Sequence, residues 1–387
     1  VYGGSIYTGG IGTLLTSFLN SRERGKDIQN ICLQCGTCNT VCGGKLDIAG
    51  MILKLRTKFA QEDGLNPVHK FCLDTVADRH LFHSMLRIAS VAQGMITKGQ
   101  PMIRHLPMFL SGLTAGRSLP SVAPQPFRDI LPTIKQDVPN PKGKIAIFTG
   151  CLLDFVYVDI ATDVVKALNM AGYIVEMPLG QACCGAPATY MGDVENAKKA
   201  AEMNLNAMEA EKYDYIVSAC PTCTHALRDY VDFFKDNPEM LKKAEELRSK
   251  TFDFCKLVSM LGGLPDTGDG VPMKVTYHDS CHLNRYLGVT KEQRELLKAT
   301  KGVELIEMHD CDKCCGFGGS YSVKFPEMSA PILEEKINNI VASGADVVAV
   351  DCPGCLLQIR GGLDARGLNN IQVKHTAQIV VEKREKK

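Results

Sequence analysis

The sequence predicts an α/β protein: a helical N-terminal module, then two copies of one small α/β domain with mainly parallel sheets. Three observations carry this. Short β-branched runs such as "KIAIF" and "DVVAV" alternate with helical stretches rich in Ala, Lys, Glu and Met, the pattern of strands joined by right-handed crossovers. Compared with itself, the chain shows one layout twice, at about 144–230 and about 274–360. Ahead of both lies a tight cysteine run followed by a Met-rich, helical-looking stretch.

At 387 residues the chain has room for two or three domains. Its 44 basic and 43 acidic residues nearly cancel. With no basic run interleaved with aromatics, nucleic acid is not expected as a partner. No apolar run reaches the roughly 18 residues of a spanning helix, so no transmembrane segment is expected and peripheral membrane contact stays open. The opening "VYGGSIYTGG" has no Met, no basic n-region and no apolar h-region, so no signal peptide is read and the chain is expected to be processed or partial. The expected location is cytoplasmic, or peripheral at the inner face of the membrane. Most of the 17 cysteines sit in short repeated spacings, which in a reducing compartment read as metal ligands or redox groups rather than a disulfide scaffold.

In order, the expected parts are a cysteine-bearing helical module (1–117), a Pro-rich linker or crossing strap (118–142), and the two repeats (143–270 and 271–387). Within 1–117, "LFHSMLRIASVAQGMITKGQPMIRHLPMFLSGL" reads as helices packing apolar faces on a neighbouring domain, with a membrane- or quinone-docking face as the alternative. Each repeat reads as a strand ending near a Cys, a helix, a second strand and a Gly-rich turn with "CCG". A further helix and a third strand ending in Cys-Pro-x-Cys complete it. Asp193 is the expected N-cap of the helix in "DVENAKKAAEMNLNAMEAEKY", and Gly344 the stop of "EMSAPILEEKINNIVASG". Ligands in such sheets collect at the carboxyl ends of strands, where these cysteines sit.

The run "ICLQCGTCNTVC" places Cys32, Cys35, Cys38 and Cys42 in C-x2-C-x2-C-x3-C spacing. This is bacterial ferredoxin spacing, and the first three suit three corners of a [4Fe–4S] cubane. A structural zinc site separates two CxxC pairs by a long loop. Gly43 stands where Pro usually follows the fourth Cys. Cys42 therefore either closes its own cluster or serves one upstream of Val1.

In each repeat five cysteines recur in one order: Cys151, Cys183, Cys184, Cys220 and Cys223, then Cys281, Cys314, Cys315, Cys352 and Cys355. Five thiolates on three strand ends can converge, and adjacent cysteines can ligate neighbouring irons. A tetrahedral zinc takes four ligands. Gly185 and Gly316 would let backbone approach the metal, and Pro221 and Pro353 would fix the turn inside each CxxC. A thioredoxin-like redox pair explains neither the doublets nor the repetition.

This pattern resembles the cysteine-rich (CCG) domain of heterodisulfide reductase catalytic subunits. The domain is shared with glycolate oxidase iron–sulfur subunits, anaerobic glycerol-3-phosphate dehydrogenase subunits and lactate-utilisation iron–sulfur proteins. The resemblance implies a [4Fe–4S] cluster, non-cubane in heterodisulfide reductases, on each set of five. The stretch "VYGGSIYTGGIGTLLTSFL" with the following cysteine run is similar to the tail of the lactate-utilisation protein that carries a LUD domain. The expected function is an iron–sulfur oxidoreductase component passing electrons between a ferredoxin-type cluster and two CCG-domain clusters, in oxidation of lactate or a related 2-hydroxy acid. A disulfide reductase and a non-catalytic adaptor to quinone are the alternatives. Expected partners are other redox subunits or an upstream LUD-type domain, and a small-molecule substrate or quinone. No G-x-G-x-x-G fingerprint appears, so flavin or nicotinamide must come from a partner.

Among lone residues, Cys72 and Cys255 read as inert buried thiols. Cys311 is a bystander, an alternative ligand or a redox thiol. His278, Asp279 and His282 flank Cys281, either hydrogen bonding near cluster sulfur or delivering protons; His225 is a weaker candidate of the same kind. Candidate catalytic groups are thus His278, His282 and Cys311.

Overall fold

A computed structural model describes residues 9–97, 102–104, 117–265 and 270–384. The first part is helical: Ile11–Leu19, Arg22–Asn30, Thr37–Val41, Ile48–Asp63, Pro67–Ala77 and Arg79–Thr97. Side chains satisfy free N–H groups at their starts. Ser21 accepts from Arg24 N, Asp47 from Gly50 N and Asn66 from Val68 N. Leu14, Ile48, Ile52, Leu55 and Phe59 make a small core, and Cys32, Cys38 and Cys42 pack against it.

The Met-rich stretch is only partly helical. Its helix ends at Thr97, and Met102–Ile103 (β1) pairs antiparallel with Leu119–Pro120 (β2). Residues 98–101 and 105–113 of that stretch lie outside the described residues. The Pro-rich segment is a strap, not a free linker. Ser118 N donates to Gly361 O at 3.1 Å and Ala123 N to Phe155 O at 2.7 Å. Phe127 is fully buried in the main core.

The two repeats fold alike. β3 (Gly143–Ile147), β4 (Tyr173–Glu176), β5 (Tyr215–Ser218) and β6 (Thr251–Asp253) form a parallel sheet in the order β4-β3-β5-β6. β7 (Met273–His278), β8 (Val303–Leu305), β9 (Val347–Val350) and β10 (Gln372–Lys374) form the same parallel order, β8-β7-β9-β10. Even the register repeats: Lys144 faces Ile174 as Lys274 faces Glu304. Asp193 caps the helix Val194–Met208 through Asn196 N, and Gly344, at φ 68°, ends Pro326–Ser343.

One core runs through both repeats, joining Ile147, Val165 and Phe254 to Ile337, Val348, Ile359 and Val380. Across the same junction Gln378 Nε2 donates to Asp159 Oδ2 at 2.9 Å. Burial of this continuous apolar surface holds the two sheets in one orientation, and that orientation sets the strand ends of one repeat against those of the other.

Candidate metal centre

Every doublet-repeat cysteine lies past a strand's carboxyl end, in the loop or first helical turn that follows. Cys151 and Cys281 follow β3 and β7, the doublets follow β4 and β8, and the Cys-Pro-x-Cys turns follow β5 and β9. Cys220 and Cys352 are extended N-cap residues, and Pro221 and Pro353 open the helices Pro221–Asp229 and Pro353–Ala365. The prolines thus start helices rather than fixing a turn within the CxxC, at a position where their missing N–H is harmless. The glycines also have a different reason. Gly185 and Gly316 sit at φ 80° and 83°. A Cβ on Gly316 would lie 2.8 Å from Ser329 O, and one on Gly185 would lie 3.2 Å from Ala197 O. They bring the doublet loop against the backbone of a helix further along the chain.

The thiols lie close enough to act on one another along one continuous run. It passes from Cys151 to Cys183, Cys184, Cys223 and Cys220, crosses to Cys352, and continues through Cys355, Cys315 and Cys314 to Cys281. The order is a mirror image about the Cys220–Cys352 contact. Eight of these cysteines are buried and two, Cys151 and Cys314, are half-buried, so the strand ends are enclosed by the other repeat rather than open to solvent. The neighbouring Cys183 draws the Cys184 thiol down to about 6. Cys281 and Cys220 likewise draw Cys314 and Cys352 well down. Crowded, partly ionised sulfurs in a dry interior form a donor set for a soft cation.

The N-terminal run approaches one end of this chain of sulfurs. Burial pushes the Cys32 and Cys38 thiols up, with Cys35 adding to both. Cys42 stands at the C-terminal end of the helix Thr37–Val41. The Cys35 thiol is near enough to Cys281 to help raise it, after Cys314 and burial. Tyr286 seals this seam: its hydroxyl donates to Gln34 O at 2.9 Å, and a Cβ on Gly36 would lie 3.0 Å from its ring. Arg285 Nη1 donates to Cys35 O at 3.3 Å.

The lone candidates divide. His282 lies at the junction of the repeats, with Nε2 2.6 Å from Tyr190 Oη and its ring stacked 4.9 Å from that of Tyr286. Burial pulls its pKa down to about 4. His225 pairs with Asp229 at 2.7 Å and meets the His282 ring at 5.7 Å. His278 is fully buried with neither ring nitrogen hydrogen-bonded; its ligand atom, Cys315 Sγ and Cys355 Sγ lie within 4.8 Å of one another. Asp279 is held by Arg294 at 2.7 Å. Cys311 stands outside the thiol run, 3.6 Å from Arg294 Nη2, and burial pushes it up to about 11. Cys255 is buried as expected, but Cys72 is exposed: its helix turns Leu73, Thr75 and Ala77 inward instead.

Sequence reasoning missed Tyr190, Tyr286, Arg56 and Lys336. Only Lys336 left a trace: it stands as far before its Cys-Pro-x-Cys turn as Asn204 does before the other, a cation in place of an amide.

Residues 145–228 and 275–360 each match the CCG cysteine-rich domain, and the chain belongs to the family of proteins built on two such domains. It is similar to "Lactate utilization protein A" of Shouchella clausii, 39% identical over 62% of this chain and 99% of that protein. The Bacillus subtilis protein of the same name is 36% identical over 61% and 98%. The "Probable glycolate oxidase iron-sulfur subunit" of Bacillus subtilis is 30% identical over 93% of this chain and 84% of its own length. Among the described residues no helix is long and apolar enough to cross a membrane.

Proposed function

We propose that this chain is an iron–sulfur component that carries electrons in the oxidation of lactate or a related 2-hydroxy acid, working with other redox subunits. Cys32, Cys35, Cys38 and Cys42 would hold a ferredoxin-type [4Fe–4S] cluster. Each set of five doublet-repeat cysteines would hold a further [4Fe–4S] cluster, non-cubane by the family resemblance. The single observation behind this reading is the unbroken run of thiols from Cys151 to Cys281, with Cys35 beside its end. Three adjoining sites in series suit electron transfer. When bound, the clusters supply one-electron carriers; the protein's own part is to hold sulfur in place and exclude water. Tyr190, His282 and Tyr286 close the seam between the three parts.

The test is anaerobic purification with iron and sulfide analysis, followed by addition of L-lactate or glycolate with and without a flavoprotein partner. Cluster reduction only with the partner supports a carrier; reduction by the chain alone makes it the dehydrogenase itself. Iron sufficient for one cluster only would sink the reading. The Cys220–Cys352 contact also favours a second reading, since it sets the two sites side by side where a disulfide could take two electrons and two protons and leave as two thiols. Release of thiols from a mixed disulfide by the reduced protein would select it.

A further inference from the structure

We propose that the two doublet-repeat sites are built to differ in reduction potential: His278 donates a hydrogen bond from its ring N–H to sulfur of the second site, and with Lys336 makes that site the easier to reduce. The inference rests on the reading that both sites hold clusters.

The repeat itself supplies the control. Aligning "KIAIFTGC" with "KVTYHDSC" puts His278 where the first copy has Phe148. Phe148 is fully buried in an apolar cluster with Cys183, Cys184, Cys220 and Cys223. His278 is equally buried, yet neither ring nitrogen has a partner. An unpaired buried polar group destabilises the fold, and such groups are rare enough to call for a reason. The sulfurs of Cys315 and Cys355 lie beside the ring.

A second difference points the same way. In the first copy Asn204 Oδ1 accepts from Ala182 N at 2.8 Å, and its amide donates to Cys183 O at 2.9 Å. In the second copy Lys336 Nζ donates to the carbonyls of Asp310 and Cys311. Both side chains brace the loop entering the doublet, but one is neutral and the other an ammonium in electrostatic contact with Cys315 and Cys314. The nearby carboxylate of Asp279 is already matched by Arg294, so it does not cancel Lys336. Hydrogen bonds to sulfur and nearby positive charge both stabilise the more negative, reduced cluster. The favoured site is the one next to Cys35, so an electron passing along the run would rest there before crossing at Cys352 and Cys220.

The experiment uses the full chain, purified anaerobically, in electron-paramagnetic-resonance potentiometric titrations of the wild type, His278→Phe, Phe148→His and Lys336→Met. Pulsed measurements on 15N-histidine-labelled protein accompany them. Two distinct midpoints are expected for the doublet sites. His278→Phe and Lys336→Met should each lower the higher one and leave the lower one and the iron content unchanged. Phe148→His should raise the lower one. A weak nitrogen coupling should disappear in His278→Phe alone. Equal midpoints in the wild type, unmoved midpoints in both His278→Phe and Lys336→Met, or a strong coupling of the size of a direct iron–nitrogen bond would each overturn the proposal. Loss of the second cluster in His278→Phe would overturn it as well, because it would make the imidazole a ligand. Wild-type protein lacking one doublet cluster would instead overturn the reading on which the proposal rests.

Discussion

Arg56 is the test of how the N-terminal module is held. Its guanidinium is 9% exposed and meets four acceptors. It donates to Gln29 Oε1 at 2.7 Å, to Gln29 O, to Cys32 O at 3.1 Å and to Tyr190 O at 2.6 Å. One side chain therefore ties the cysteine loop to its own module and to the first repeat. Arg56→Met keeps the length and removes every donor. The Gln29 side chain can turn away and Gln29 O keeps Cys32 N, but the carbonyls of Cys32 and Tyr190 have no such recourse, and each stranded acceptor costs roughly 1–3 kcal/mol. Burial, which already pulls the arginine pKa down, gives back part of this. The net loss should be about 2–4 kcal/mol, or a roughly 30- to 1,000-fold rise in local opening. Native-state hydrogen exchange across Ile48–Asp63 would report it, with faster loss of iron from the Cys32 loop and no change in the sheets. Arg56→Lys should recover little, since one ammonium cannot span these acceptors. Exchange within about threefold of wild type, where tenfold is 1.4 kcal/mol, would refute the assignment of Arg56 as the tie.

Cys184→Ser should remove or distort one cluster, seen as loss of about four irons and of one spectral component, with the other clusters intact. Cys72 should be alkylated by iodoacetamide in the native protein while Cys255 is not, and Cys72→Ser should leave iron untouched; peptide mass mapping reads both. Asp253 accepts from Cys255 N at 2.9 Å through one oxygen, and its other oxygen has no partner. Burial, then Asp351, holds its carboxyl pKa well above the ordinary range. The stabilising proton is fully present below an unfolded pKa of about 3.9 and is lost as pH rises through the folded value. Asp253→Asn should therefore flatten the fall in stability as pH rises above about 4, and an unchanged pH dependence in urea unfolding would count against it.

Where the chain repeats itself, local signals carried far. The two β-α-β layouts, the Asp193 cap, the Gly344 stop and the placing of the doublet-repeat cysteines after strands follow from patterns within a few residues. The structure departs where a residue's reason lies across space. Gly185 and Gly316 answer to the helix backbone behind them, a constraint no neighbouring residue announces. Cys72 sits in an apolar stretch, yet the face of its helix that packs inward carries Leu73, Thr75 and Ala77. The proline-rich segment reads as spacer because nothing nearby announces that Phe127 will be buried in the shared core.

The order of the sites was the part least accessible to sequence, and its cause can be found in unlike residues at like positions. Two similar repeats offer the N-terminal module two similar strand-end faces, so the cysteine pattern alone does not choose between them. The residues after the first cysteine do. After Cys281 come Arg285 and Tyr286, which reach Cys35 O and Gln34 O and leave room only for a glycine at Gly36. After Cys151 comes Leu152–Phe155, where Asp154 is taken by Arg128 of the strap and Phe155 O by Ala123. The strand-end face beside Cys151 is thus already covered by the chain that leads into it, and the Cys35 loop meets the one beside Cys281, while Arg56 and Lys70 tie the module's helices to the first repeat. Covering one face of a duplicated domain turns a symmetric pair into a directed series: module, second repeat, first repeat. The differences at His278 and Lys336 fall on the repeat that comes first in that series, where a difference in potential has a direction to act along.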